Sequence, residues 1–300
     1  MNKTVAVLTP SYNRAYILGK LYESLRAQTC FDFKWYIVDD GSSDDTKAVC
    51  AGFSPIEFEI EYISKINGGK HTAINTGLEY ITEELIFIVD SDDRLTPDAI
   101  EVIVNDWQIY KHRKDIAALS YYRCYTNNTI IGDCYDSNTP FVDSYINIRI
   151  NKGVKGDKAE VFVAEVLKKF RFPVFENERF LSESVLWMAI SKAGYQYAYI
   201  SKSIYICEYL GDGLTQAGKT KILKNPLGTR AHALSYLSDE IKQILQWKYA
   251  ILYNTACCLS KITLKKRLNE CPKKIKCILS YPLGVGLSVC WRLRWGKNRG

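Results

Sequence analysis

The stretch "LIFIVDSDDRLTPD", residues 85–98, decides how the chain folds. It opens with five apolar residues, Leu85 to Val89, a run suited to a strand inside a protein. Asp90, Asp92 and Asp93 then follow within four positions. Like charges that close repel, so at least one carboxylate resists ionising unless something positive stands between them.

A helix start could use acids, but here the helix has its own signals. "LTPD" offers Thr96 as N-cap and Pro97 as first helical residue, so the acids lie too early to serve it. Hard divalent cations prefer carboxylate oxygens, and Mg2+ commonly takes one or two of them together with substrate phosphates. An Asp-x-Asp at a strand end suits that role.

Working outward, the first hundred residues alternate strand-like and helix-like segments. "TVAVLTP", "KWYIVDDGS", "EFEIEYIS" and "ELIFIVDSDD" read as strands; "YILGKLYESLRAQ", "DDTKAVCAGF" and "KHTAINTGLEYI" read as helices. Such alternation with short connections predicts parallel strands and helical crossovers, hence an α/β sheet. Ligands of open sheets bind beyond the carboxyl ends of the strands. Those ends carry Thr9 to Arg14, Asp39 to Ser43, Asn67 to Lys70 and Asp90 to Asp93, which should converge on one crevice.

Each cluster alone has a plain reading. "VDDGSSDD" could be a simple turn with Asp44 as N-cap, and Gly-Gly before a helix is common. His71 reads as structural. Farther on, "KAEVFVAEVLKKF" and "ERFLSESVLWMAISKAG" read as helices and "YQYAYISKSIYICEYL" as strand. From Pro226 the pattern is helical, with "SYLSDEIKQILQWKYAILYNTACCLSKI" as its longest run.

Together, "TPSYNR", "IVDDGSSDDT", "NGGKHTAINTG" and "VDSDD" resemble, in order and spacing, the family 2 glycosyltransferases of the GT-A nucleotide-diphospho-sugar fold. The resemblance is strong over about residues 3–110 and looser over 150–215. It implies a mostly parallel central sheet flanked by helices. It divides the chain into a transferase domain, 1–220, and a helical basic extension, 221–300. Within the first, 1–110 is the nucleotide-sugar half and 111–220 the acceptor half. The resemblance places Thr9, Tyr12, Arg14, Asp39, Asp40, Asn67, Lys70 and Asp90 around the nucleotide-sugar. Asp92 then binds Mn2+ or Mg2+ bridging the diphosphate, with Asp93 as the alternative ligand.

Inverting members of the family also need a base, usually in an "ED" pair opening a helix before Leu-Trp. Here the segment is "FLSESVLW": Glu183 matches, Ser182 replaces the preceding acid, and Glu178 in "ENERF" is the rival. "KGDKAEVF", residues 155–162, resembles an acceptor-side segment, and "YLGDGLTQ", residues 209–216, a loop closing over the diphosphate. The implied reaction moves a sugar from a nucleotide-diphospho-sugar, with UDP the leading nucleotide, to a glycan or lipid-linked hydroxyl in surface polysaccharide synthesis. A nucleotidyltransferase is the alternative, but "TPSYNR" lacks the glycines of a triphosphate loop. A silent sugar-nucleotide binding module is a third reading, disfavoured by the intact Asp-x-Asp.

Charge separates the two ends of the chain. Residues 261–300 hold 11 Lys/Arg against one acid, Glu270, and the rest holds 29 Lys/Arg against 32 acids. An anionic partner for the tail follows, and no nucleic-acid motif accompanies it. Residues 277–291 are uncharged, about 22 Å as a helix and short of a roughly 30 Å hydrocarbon core. Pro282, Gly284 and Gly286 should weaken a continuous helix. Residues 273–300 are therefore expected either to rest on an anionic membrane surface or to pack on the body. The N-terminus shows no apolar signal region and the ten cysteines no paired spacing, so a cytoplasmic chain with reduced thiols is expected, peripheral on the inner face of the cell membrane.

Overall fold

The computed structural model describes residues 3–208 and 220–295, in two compact units. The first comprises Met1–Arg171 and Ile190–Leu210, the second Phe172–Ala189 and Gly211–Gly300.

The first unit opens with β1 (Val5–Ser11), α1 (Leu18–Arg26), β2 (Phe33–Asp39), α2 (Thr46–Ala51), β3 (Glu59–Ser64), α3 (Lys70–Tyr80) and β4 (Leu85–Ile88). The four strands are parallel, in the order β3-β2-β1-β4. The register sets Ser11 beside Asp39 and Asp39 beside Ser64, so the polar residues end the strands at one level. Beneath them Val5, Val7, Trp35, Ile37, Leu85 and Phe87 are fully buried. Helix α1 adds Leu18, Leu21 and Leu25, one stripe at helical spacing. Burying three leucines contributes roughly 5–9 kcal/mol by apolar area, enough to hold a short helix that would not persist alone.

The sheet continues through β5 (Arg94–Leu95), β6 (Ile116–Tyr125), β7 (Phe141–Asp143), β8 (Lys158–Val163) and β9 (Gln196–Cys207). Helix α4 (Ala99–Tyr110), a π-helical turn (Ile146–Asn151) and α5 (Ala164–Leu167) lie between these strands in sequence. Strand β8 inserts antiparallel between β4 and β6, β6 runs parallel to β9, and β9 carries β5 and β7 antiparallel. Among the described residues the sheet has nine strands, parallel through its first half and mixed through its second.

Two local expectations change. "KAEVFVAEVLKKF" is mostly strand: Lys158–Val163 fills the gap between β4 and β6, and only Ala164–Leu167 is helical. Cross-strand pairing of Val161 and Phe162 on both sides overrides the helix-like period. Helix α4 starts at Ala99 with Asp98 as cap, not at Pro97. Leu95 is paired with Tyr205, and the Thr96 N–H donates to the Ile204 carbonyl at 3.1 Å, so the chain is still in the sheet there.

Helix α6 (Ser184–Lys192) leads out of the second unit's first segment. The rest of that unit holds α7 (Thr220–Lys224), α8 (Pro226–Ser235), α9 (Gln243–Leu259), α10 (Leu264–Glu270) and α11 (Lys274–Trp295). The expected long run around α9 breaks before Gln243, and α11 is the longer helix, unbroken despite Pro282. A Cβ on Gly284 would stand 2.4 Å from Asn254 Cβ, so the missing side chain is what lets α11 close on α9. The contact is completed by Asn254 Nδ2, which donates to the Cys277 carbonyl at 2.8 Å and Ser280 Oγ at 3.0 Å. All ten cysteines are free thiols; Cys257, Cys271 and Cys277 belong to this unit's apolar core.

Candidate active site

The four polar clusters of the first unit close into one ring of contacts. Asn13 adopts a left-handed backbone, φ 52°, which turns the chain after β1. Its N–H donates to Ser42 Oγ and its Oδ1 accepts the Ser43 N–H, both at 2.8 Å. The Arg14 N–H donates to Thr46 Oγ1 at 3.1 Å, and Ala15 N–H to Asp44 at 3.1 Å. The first two loops are thus stitched together by backbone donors that the sequence could not assign.

Asp39 and Asp40 diverge from β2. Asp39 is buried, accepting the Ser42 N–H at 2.8 Å and the Tyr62 hydroxyl. Asp40 accepts from Lys65 Nζ at 2.6 Å, the Gly68 N–H at 2.9 Å and the Gly69 N–H at 2.6 Å, and so pins the third loop. Directly after them Gly41 has φ 76°, and a Cβ there would lie 2.8 Å from the Asn67 nitrogen. Only glycine fits. Thr9 turns inward, its hydroxyl accepting the Trp35 indole N–H at 2.9 Å, whereas Tyr12 stays 45% exposed. Ser11 Oγ and Asn67 Oδ1 are buried with no hydrogen-bond partner in the protein. Such atoms can accept from a ligand's hydroxyl or N–H.

The three acids after β4 meet protein cations. Asp90 pairs with Lys70 and lies 3.7 Å from Arg123; Asp93 lies 3.9 Å from the same guanidinium; Asp92 lies 3.9 Å from Arg14. Arg123 comes from the middle of the sheet, held by the Lys158 carbonyl at 2.9 Å and stacked 4.1 Å over the Tyr205 ring. The Tyr205 hydroxyl in turn accepts the Asp90 N–H at 2.9 Å. Lys65, Arg123 and Tyr205 were not singled out by the sequence reading. A lone arginine inside the apolar run "ALSYYRCY" was the available signal.

These contacts sort the acids. Burial pushes Asp90 up, but Lys70 and Arg123 outweigh it and hold its carboxyl below the usual range. Burial and then repulsion from Asp90 raise Asp93 to about 6, despite Arg123. The same two causes raise Asp92, with Arg14 only partly offsetting them. Of the two raised acids Asp92 is the more accessible, its side chain 22% exposed against 9% for Asp93.

A divalent ion fits this donor set as a shared site. The oxygens are hard ligands, and Asp92 has charge left to neutralise. Among the described residues, no group of three or more His, Cys, Asp or Glu could hold an ion alone. A ligand diphosphate would have to supply the remaining oxygens.

In the second unit Glu183 opens α6, its carbonyl accepting the Leu186 and Trp187 N–H groups at 2.9 and 3.2 Å. Flanking it, Ser182 and Ser184 hydroxyls bond at 2.8 Å, and Ser184 Oγ meets His232 Nδ1 at 3.1 Å. Glu178 is differently employed. It is 8% exposed and accepts the Leu227 and Gly228 N–H groups, both at 2.7 Å, at the start of α8. The segment 209–216 lies outside the described residues.

An α/β sheet with an acid cluster and Gly-containing loops at the carboxyl ends of its strands has its ligand site there, as open α/β enzymes do. Residues 6–171 match the description "Glycosyl transferase family 2", and the chain belongs to that family. It is 28% identical to glycosyltransferase GlyA of Streptococcus pneumoniae over 67% of this chain, spanning 28% of GlyA's length. It is 26% identical to the Escherichia coli UDP-Glc:alpha-D-GlcNAc-diphosphoundecaprenol beta-1,3-glucosyltransferase WfgD, over 80% of this chain and 94% of WfgD. The crystal structure of Staphylococcus aureus TarS residues 1–349 with UDP-GlcNAc superposes with TM-score 0.65 at 15% identity, covering 97% of this chain and 92% of that one. The fold is that of the GT-A transferases.

Proposed function

We propose that the chain is an inverting glycosyltransferase that moves a sugar from a nucleotide-diphospho-sugar, UDP first among candidates, to a hydroxyl of a glycan or lipid-linked acceptor. The supporting observation is the accessible Asp92, its carboxyl raised by burial and by Asp90, in a ring of strand-end loops that also hold the unpartnered buried acceptors Ser11 Oγ and Asn67 Oδ1. WfgD, which matches over most of both chains, bears a name that includes a UDP-sugar donor and a diphosphoundecaprenol acceptor.

In this reading Tyr12 and Arg14 border the nucleotide, and Lys70 and Arg123 hold Asp90 ionised and immobile. Asp40 acts through the loop it pins, and Thr9 through Trp35. Asp92 would hold Mn2+ or Mg2+, which when bound would supply Lewis-acid stabilisation to the leaving diphosphate. Glu183 accepts the proton of the attacking hydroxyl, and attack opposite the leaving group inverts the anomeric carbon. General-base help of that kind is worth about 10²–10⁴-fold. Glu178, whose carboxylate serves the α8 N-terminus, is the weaker candidate. Residues 1–220 then act as the transferase domain and 221–300 as a basic extension, at the cytoplasmic membrane face where a lipid-linked acceptor would lie.

A thermal-shift panel of UDP-, GDP- and TDP-sugars, with and without Mn2+ or Mg2+, tests the reading. Metal-dependent stabilisation by at least one donor is expected. No response to any of them would sink it.

A further inference from the structure

Helix α11 is built inside out for a soluble helix. Its packed face consists of Cys277, Ser280, Gly284, Ser288 and Trp291, small residues but for the tryptophan. Its large apolar side chains point outward: Ile275, Ile278, Leu279, Leu283, Val289 and Leu293 are 49% to 74% exposed. At about 100° per residue, these six form one stripe centred opposite the packed face. Lys274 and Arg292 then lie along one edge of the stripe, and Lys276 and Arg294 along the other. The helix contains no Asp or Glu.

We infer that this face of α11 docks flat on a lipid bilayer bearing anionic headgroups. Apolar side chains between two basic edges match the division between acyl chains and headgroups, with lysine and arginine stems reaching outward. At 22 residues the helix is about 33 Å long, so all six turns can lie in the interface together. Lys276 Nζ sits 5.7 Å over the Trp247 ring, adding an amphipathic aromatic, 37% exposed, beside the stripe. No described helix is long and apolar enough to cross a membrane. A second copy of the chain is a poorer occupant. Antiparallel pairing would set Lys274 and Lys276 against Arg292 and Arg294, and parallel pairing would set each cation against itself.

The inference rests on the membrane-surface part of the proposed function and not on its chemistry. Flotation of the full chain with vesicles of phosphatidylcholine, and of an equimolar mixture with phosphatidylglycerol, tests it. Binding to the mixed vesicles is expected, falling roughly fivefold for each of Lys274→Gln, Arg292→Gln and Arg294→Gln. The triple variant Ile278→Gln, Leu279→Gln, Leu283→Gln should lose more than about tenfold while keeping its melting temperature, since those side chains make little of the fold. Indifference of the unaltered chain to both vesicles overturns the inference. So does a triple variant that still floats, or one that instead turns a dimer into a monomer in solution. Donor-induced thermal shift in the same triple variant reports the sugar-nucleotide site separately, so failure of one does not read as failure of the other.

Discussion

Arg123 and Asp90 face each other at 3.7 Å across the end of the sheet, and the same guanidinium reaches Asp93 at 3.9 Å. One buried cation from β6 thus serves two of the three acids after β4, while Tyr205 carries its ring and also bonds the Asp90 backbone. The cluster is preassembled by the protein before any ligand charge arrives.

Removing that cation strips Asp93 of its ion-pair partner and leaves Asp90 with Lys70 alone. Arg123→Ala should cost about 3–5 kcal/mol of stability, the range for stripping one partner from a buried ion pair. Adding Asp93→Asn should recover part of the loss, because the neutral amide no longer repels Asp90. Urea unfolding of the single and double variants measures both. A loss under about 1 kcal/mol for the single variant would show that the pairings are not what holds the cluster.

Asp92 should behave in the opposite way. Its carboxyl is raised by burial and by Asp90, so Asp92→Asn relieves repulsion and leaves stability equal or slightly higher. The same substitution should abolish Mn2+-dependent stabilisation by a UDP-sugar. Calorimetry with and without metal distinguishes the two effects. Unchanged metal dependence in Asp92→Asn would move the ligand role to Asp93.

The two glutamates of the second unit separate by stability against turnover. Glu178→Gln weakens the charged bonds to Leu227 and Gly228 at the α8 N-terminus and should cost about 1 kcal/mol, with activity per folded molecule retained. Glu183→Gln should fold normally, bind donor, and turn over about 10²–10⁴-fold more slowly. Near-normal turnover by Glu183→Gln, with loss in Glu178→Gln, would reverse the assignment.

What the sequence disclosed follows from what is local. The strand ends, the Gly41 turn and the acids after Val89 are short-range signals, and the parallel order of β1 to β4 follows from the helical crossovers. Partners brought from far along the chain were not legible. Arg123 lies 33 positions from Asp90, and Lys65 bonds Asp40 only because β2 and β3 pair in register. The same limit explains β8, whose helical period yields to a gap between β4 and β6. It also explains α11, where Pro282 and two glycines suggested a break but Gly284 makes the close contact that secures the helix.

His232 supplies a pH test of the second unit. Burial, and then the nearby Lys248 charge, lower its imidazole from 6.5 to about 4. The ring lies between 5 and 6 Å from those of Tyr236 and Tyr249 and bonds Ser184 through Nδ1. The unfolded chain takes up a proton near pH 6.5, whereas the folded chain does so only near 4. Stability from the neutral ring is therefore complete above about pH 6.5 and is lost as pH falls toward 4. Asp93, raised to about 6, contributes with the opposite sign in part of that window, so the wild type alone is ambiguous. The difference between wild type and His232→Gln isolates the imidazole, because Asp93 is common to both. Thermal melts from pH 7.5 to 4 should show the wild type losing more stability than His232→Gln as pH falls. Parallel curves would mean that the ring titrates alike in the folded and unfolded chains, so that burial does not hold it neutral.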